Sequence, residues 1–415
     1  MRTLLLAAAM LSCLAVRPAS CQNSEPPASL SGFTLTAGDF DDPRTLPNLE
    51  TLCRVWGYAK YHHPAFCDTL RRVDIDSALF SLLPRVVHAD REIRNRHLLD
   101  WVRSLGDYTP NRVEYEQNLA PLELVSTVDL AWTRDTTLLG RDLSRLLQDL
   151  RYAERGENYY LRMGTTGNGP GYHYLSLRGE SFHPTPQMDS GLNLLTLFRL
   201  WNIIEYYAPY RAVTLHPWEE VLSTYIPLMG VETDGRRFAR LYMRLIRELN
   251  DGHAYAPIEM LFGQRMLPVW PLQADGRLFV GYSGDSALER GDEVVAIDGE
   301  PLSERLELLR EYASRSNEAS LRRAARYYGL CTRRDTAEVV LRRAGACDTL
   351  HVATVPYGNA PPFTTRPNSR SRPSACWPIR WVTSTPGPSH ASTSPRSGRR
   401  CPARGRSSST CAPTR

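Results

Sequence analysis

Bulky apolar residues recur at three- and four-residue steps in two separate stretches, Leu49, Leu52 and Trp56 in one and Leu194, Leu197 and Trp201 in the other. That spacing predicts an amphipathic helix in each place, with a face that must be buried. The two stretches are diverged copies. Asn48–Pro64 reads NLETLCRVWGYAKYHHP and Asn193–Pro209 reads NLLTLFRLWNIIEYYAP; aligned without a gap, eight of seventeen positions are identical. Each copy closes on a proline that cannot continue a helix. A second apolar-periodic stretch follows in both, Ile75 to Leu83 and Trp218 to Ile226, stopped by Pro84 and Pro227. A third runs from His97 to Leu105 and from Phe238 to Leu249. The pattern predicts two small helical bundles, residues 48–112 and 189–256.

The copies part at the end of the third helix. The first has Arg103-Ser-Leu-Gly-Asp107 and then Tyr108, whereas the second has Arg247-Glu-Leu-Asn-Asp251 followed by Gly252 and His253. A helix C-cap accounts for Asp251 and Gly252, with the glycine in the left-handed conformation. A cap needs no imidazole after it, so His253 is left over.

Outside the copies the period changes. Residues 113–188 alternate short β-like runs, Leu122 to Leu130 and Tyr172 to Leu177, with the glycine-rich Gly164–Gly171, GTTGNGPG. This predicts a mixed β connector with a turn; the segment lacks the lysine and strand-to-helix setting of a phosphate loop. In LERGDEVVAIDGEPL, Leu288 to Leu302, a Gly-Asp turn precedes an apolar strand, Val294 to Ile297, and Asp298-Gly299 makes a tight turn out of it. A helix then runs from Ser303, as N-cap, through Leu306, Leu309 and Tyr312. The strand pair Ala337 to Leu341 and Leu350 to Val355 follows. The fold class expected is α+β and multi-domain. The turn–strand–turn segment resembles a PDZ domain over residues 257–357, although a generic half-barrel carries similar turns.

Composition narrows the setting. A chain of 415 residues with 42% apolar content can hold several cores. Residues 1–22 combine Arg2, an apolar run from Leu4 to Val16 and small residues before Cys21, the layout of a signal peptide, with residues 23–47 as a linker. Export to the periplasm, cell surface or exterior is therefore expected; membrane attachment would require lipidation at Cys13 or Cys21. In an exported chain of nine cysteines, Cys53/Cys67 and Cys331/Cys347 lie close enough in sequence to pair. No Cys-x-x-Cys or His/Cys cluster has zinc spacing, so no metal and no cofactor are expected. His62 and His63, adjacent rather than on one helical face, read as surface or loop histidines. Lys60 is the only lysine.

From residue 349 onward there is no acidic residue, and residues 361–415 carry ten arginines among Ser, Pro and Thr. That exceeds the whole chain's net charge of +5, so residues 1–360 are net negative and nucleic acid is not an expected partner. A tail spanning 358–415 could be a disordered basic segment. Read instead one base earlier, Trp381–Ser384 can encode Gly-Tyr-Ile, and Ser407–Arg415 can encode Val-Val-Ile-Asp-Val-Arg-Ala-Tyr-Pro. Both are strand-like, and the shift they share makes a frameshift the favoured reading of the tail.

LFRLWNIIEYYAPY (Leu197 to Tyr210), LNDGHAY (Leu249 to Tyr255) and GDEVVAIDG together resemble the N-terminal portion of the carboxyl-terminal processing, or tail-specific, serine peptidases, close to their tricorn-core branch. The resemblance covers residues 48–357. It implies a helical domain, a PDZ domain that presents the substrate's peptide end, and an α/β catalytic domain that here is missing or out of frame. Some members use a lysine base and others a histidine from the helical motif. Lys60 matches no catalytic position, and His253 matches the histidine. The resemblance therefore implies proteolysis with His253 as general base, Asp251 and Gly252 structural beside it, and a peptide or protein C-terminus as partner. The nucleophile is unassigned, and the 415 residues alone are expected to be inactive. The rival reading is an exported PDZ-type peptide-binding protein without catalysis.

Overall fold

The computed structural model describes residues 31–67, 73–120, 127–165, 173–178, 180, 189–208, 210–254 and 256–359. The first helical copy is built from α1 (Thr45–His62), α2 (Ile75–Val86) and α3 (Arg91–Ser104). Next come α4 (Arg112–Leu119), α5 (Thr136–Leu150) and a hairpin of β1 (Leu161–Thr165) and β2 (His173–Leu177). The second copy is α6 (Ser190–Tyr207), α7 (Trp218–Gly230) and α8 (Gly235–Arg247).

The sequence repeat is a repeat of hydrogen bonds as well as of apolar faces. Trp56 donates its indole N–H to the Ile75 carbonyl at 2.9 Å, and Trp201 donates to the Trp218 carbonyl at 2.8 Å. Each indole thereby pins the start of the next helix while its ring is buried. Asn48 donates to the Val86 carbonyl at 2.9 Å, as Asn193 does to Met229 at 2.8 Å. These bonds satisfy carbonyls that a helix end leaves unpaired. They also correct the expected stops: Pro84 and Pro227 lie inside α2 and α7. Burial of Val86 and Met229 and the asparagine caps carry each helix past the one hydrogen bond that its proline deletes. Where α1 crosses α6, Gly57 faces Asn202, and a Cβ at 57 would fall 1.9 Å from the Asn202 side-chain oxygen.

Four further expectations are corrected. The connector is helical over much of its described length: Asp135 caps α5 by accepting from Thr137 and Leu138, and Leu139, Leu143, Leu147 and Leu150 form its buried stripe. Of the expected β-like runs, Leu122–Leu130 holds no strand among its described residues, whereas β2 falls within the second; residues 166–172 of the glycine-rich loop lie outside the described residues. The described part of the linker is packed rather than free. Phe33 and Leu35 are buried, and Ser31 and Leu35 bond to Asp189 and Ser190 at the start of α6. Cys53, Cys67, Cys331 and Cys347 are free thiols, with Cys53 in the helical core and Cys347 on an exposed strand. His63 is buried and accepts from the Ala65 amide, while His62 stacks on Tyr58 at 4.0 Å.

The remainder is a sheet unit. After α9 (Glu259–Phe262) come β3 (Arg265–Met266), β4 (Val269–Ala274), β5 (Arg277–Ser283), β6 (Glu293–Ile297) and β7 (Glu300–Pro301). Then follow α10 (Leu302–Tyr312), α11 (Glu318–Tyr328), β8 (Cys331–Thr332), β9 (Thr336–Arg343), β10 (Ala346–Ala353) and β11 (Val355–Pro356). An antiparallel sheet runs β10-β9-β6-β5-β4 with β7 on β6, and β11-β3-β8 form a smaller one. Asp298 and Gly299 both have positive φ, the tight turn expected between β6 and β7. Helix α10 begins one residue before Ser303: Pro301 occupies the N-cap position and makes no side-chain cap bond.

Two cores result. Val269, Val280, Val294, Ile297 and Val339 are among the residues that pack within the sheet unit. Leu309 and Tyr312 of α10 and Leu321 and Ala325 of α11 instead join the core of the helices. The fold is mixed α+β, and among the described residues no helix is long and apolar enough to cross a membrane. Residues 1–30 and 360–415, which carry the expected leader and most of the tail, lie outside the described residues.

Candidate functional site

Helix α8 fixes where the Asp251 segment starts. Asp234 caps its N-terminus by accepting from the Arg236 and Arg237 amides, and Phe238, Ala239, Met243 and Ile246 are buried on its inner face. Beyond its last turn the left-handed residue is Asn250, at φ 51°, and not Gly252 as expected. Asparagine tolerates that conformation better than most side chains. Here its amide also donates to the Val213 carbonyl at 2.9 Å, which ties the turn to the loop before α7.

Asp251 then organises the turn. Its Oδ1 accepts from the His253 backbone amide at 2.9 Å and lies 3.0 Å from His253 Nδ1. A carboxylate can only accept, so Nδ1 carries a proton, and in the neutral ring Nε2 then presents its lone pair. The carboxylate is largely covered at 19% exposure, while the imidazole is 73% exposed. Gly252 has a steric role. A Cβ there would stand 3.0 Å from Ser320 Cβ, in the first turn of α11.

Of the expected residues, the structure brings Asp251 and His253 together and gives Gly252 a close-approach position. No hydroxyl or thiol among the described residues hydrogen-bonds the His253 ring, and no group of three or more His, Cys, Asp or Glu is placed to hold a metal ion. Lys60 lies far from solvent. It is wholly buried in α1, paired with Glu180, with Trp56, Tyr61 and Tyr160 around its ammonium at 5.0, 5.4 and 4.4 Å. Burial pushes its pKa down.

A second histidine–carboxylate pair was missed from the sequence. His216 Nδ1 lies 2.7 Å from Glu248 Oε2, and Tyr225 donates to Glu248 Oε1 at 3.2 Å. Burial, with the Glu248 charge beside it, raises the Tyr225 hydroxyl pKa. Only the position of Glu248 just past α8 hinted at this pair, since its partner is 32 residues away.

No family model and no curated protein matches the chain. Part of its fold aligns with solved structures of mature CPAF, a chlamydial serine protease, one of them complexed with lactacystin. Both show 19% identity and a TM-score of 0.31 over 40% of this chain. The alignment spans about a third of those structures, 35% and 34% of their lengths. A likeness of that size is distant, and no residue role is carried across from it.

Proposed function

We propose that the chain is the base-bearing N-terminal part of an exported serine-type peptidase of the tail-specific, tricorn-like kind. His253 is the general base, Asp251 orients it, and residues 257–357 form a PDZ-like module for a substrate's peptide end. The observation that carries this reading is the Asp251–His253 pair, with Nδ1 held and Nε2 facing solvent. Serine is a weak nucleophile near neutral pH, so a base of this kind must take its proton and later return it to the leaving amine. The nucleophile and oxyanion donors belong to a catalytic domain outside the described residues.

The test is to sequence the gene across codons 350–415 and beyond, then express the chain continued in whichever neighbouring frame is open. Peptide hydrolysis by the continued protein, lost on His253→Ala, is the expected result. Hydrolysis by the 415-residue chain that disappears with the same substitution would place the nucleophile inside it and overturn the assignment.

A binding role without catalysis has its own support. Strand β4 pairs only with β5 among the described residues, which leaves one edge open, and α11 packs beside it. Leu272 on β4 is 44% exposed, and Tyr282 on the neighbouring β5 is 56% exposed. An extended peptide could add to that edge with its side chains against α11. This reading expects the 415-residue chain to bind C-terminal peptides, with affinity lowered by Leu272→Asp and unchanged by His253→Ala.

A further inference from the structure

A pair two residues apart whose imidazole is 73% exposed does not hold that ring well by itself. Exposed ion pairs contribute about 0–1 kcal/mol, and a three-residue turn outside a helix has few backbone bonds of its own. The Asp251–Gly252–His253 turn has two such bonds, from the His253 amide to Asp251 Oδ1 at 2.9 Å and from the Ala254 amide to the Asp251 carbonyl at 3.1 Å, and is held further by the segment that joins α10 to α11 and by α11 itself.

The Ser316 hydroxyl sits between two groups of the turn, accepting from the Gly252 amide at 2.7 Å and donating to Asp251 Oδ1 at 3.4 Å. Ser314 donates to the Asp251 carbonyl at 2.8 Å, and Arg323, from α11, donates to the Gly252 carbonyl at 2.9 Å. The Asp251 carbonyl and both backbone polar groups of Gly252 are thus bonded to the sheet unit. Ser316 is fixed in turn: its amide donates to Ser320 Oγ at 3.1 Å, inside the capping box that Asn317 and Ser320 build at the start of α11. The close approach of Gly252 to Ser320 Cβ completes the seat.

We propose that Ser316 and Arg323 are positioning residues for His253: they hold the turn in which Asp251 keeps the proton on Nδ1 and leaves Nε2 free. This rests on reading His253 as the base. Among the described residues, the charged groups that hydrogen-bond the turn are Asp251, within it, and Arg323, from α11. Neither Ser316 nor Arg323 touches a reacting atom. Their effect reaches the base through the carboxylate and the backbone that carry it.

The test reads the imidazole directly. In the full chain with 15N-labelled histidine, long-range proton–nitrogen spectra above the imidazole's titration report which ring nitrogen bears the proton, and His253→Gln assigns the signal. Wild type is expected as the Nδ1–H tautomer. Ser316→Ala and Arg323→Gln are each expected to lower the ratio of Nδ1–H to Nε2–H roughly fivefold, the equivalent of about 1 kcal/mol for a lost hydrogen bond. Ser316→Thr, which keeps the hydroxyl, should restore the wild-type ratio. Asp251→Asn calibrates the scale by replacing the charged acceptor with a neutral amide that can also donate.

If the two positioning variants leave the ratio where wild type has it while Asp251→Asn moves it, the turn holds itself and the proposal is overturned. It is equally overturned if Asp251→Asn moves nothing. Circular dichroism checks that each variant is folded. Because no hydrolysis is measured, failure here is separate from failure of the peptidase reading, which rests on His253→Ala in the continued chain.

Discussion

Lys60 Nζ contacts Glu180 Oε1 with both side chains almost wholly out of water, at 1% and 4% exposure. Taking two charges from water costs several kcal/mol each, and mutual attraction returns that only where the remaining valences are filled. Here the rings of Trp56, Tyr61 and Tyr160 surround the ammonium, and the second carboxylate oxygen, 3.5 Å from Arg199, accepts no hydrogen bond among the described residues, so those valences are left to charge contacts alone. Removing one partner strands the other. Lys60→Met is expected to destabilise the fold by about 3 kcal/mol, whereas Lys60→Met with Glu180→Leu should return to within about 1 kcal/mol of wild type. Urea titration followed by tryptophan fluorescence checks both, and equal losses in the single and double variants would show that the pair is not coupled.

The α1–α6 crossing gives a sharper case. Gly57 is there because Asn202 occupies the space of a side chain, with its amide donating to the Cys53 and Phe198 carbonyls at 3.1 and 2.8 Å. Gly57→Ala should cost at least about 2 kcal/mol by overpacking, despite alanine's better helix propensity. Adding Asn202→Ala should recover part of that loss by making room. A double-mutant cycle that sums without an interaction term would contradict the close contact.

Acid should unfold the helical unit partly through His62. Burial lowers its pKa to about 3, with the nearby arginines acting in the same direction and the bond from Nδ1 to the Tyr58 carbonyl opposing them. The folded state binds its proton less readily than the unfolded chain, whose histidines titrate near 6.5. Its contribution is therefore fully present above about pH 6.5 and falls as pH drops toward 3, by at most about 1.4 kcal/mol per pH unit. His62→Phe keeps a ring on Tyr58 and removes the proton. The variant's unfolding free energy should fall less steeply than wild type's over this range, and parallel pH curves would exclude His62 as the titrating group.

Which parts of the structure could be read from the sequence follows from what each part depends on. The duplicated helices were legible because Asn48 and Trp56 recur as Asn193 and Trp201, and each asparagine and each tryptophan fills the same role in both copies. Helix α4 was illegible because it buries no residue and so has no apolar stripe. In α5 the leucine stripe is interrupted by Gly140 at φ 70°, a break that hides the helical period. At the site, His253 stood out by its position after a helix, and Asp251 is its near neighbour. Ser316 and Arg323, 64 and 71 residues from Gly252, reach it only through the packing of α10 and α11 against the helices.

Asn250 separates conformational from bonding effects at the base of the turn. Its φ of 51° is strained for a branched side chain, and its amide bond to the Val213 carbonyl anchors the exposed loop that carries Tyr210, Val213 and Leu215. Asn250→Gly removes the backbone strain and the anchor together, so stability should change by no more than about 0.5 kcal/mol while residues 210–216 become more open. Asn250→Val keeps φ under strain and loses the anchor, and should cost about 2 kcal/mol. Thermal unfolding measures the first quantity, and the rate of limited proteolysis within residues 210–216 measures the second. Faster cleavage in both variants with destabilisation only in the valine variant is the expected pattern, whereas equal destabilisation would mean that the Val213 anchor, and not the left-handed backbone, is what the turn requires of Asn250.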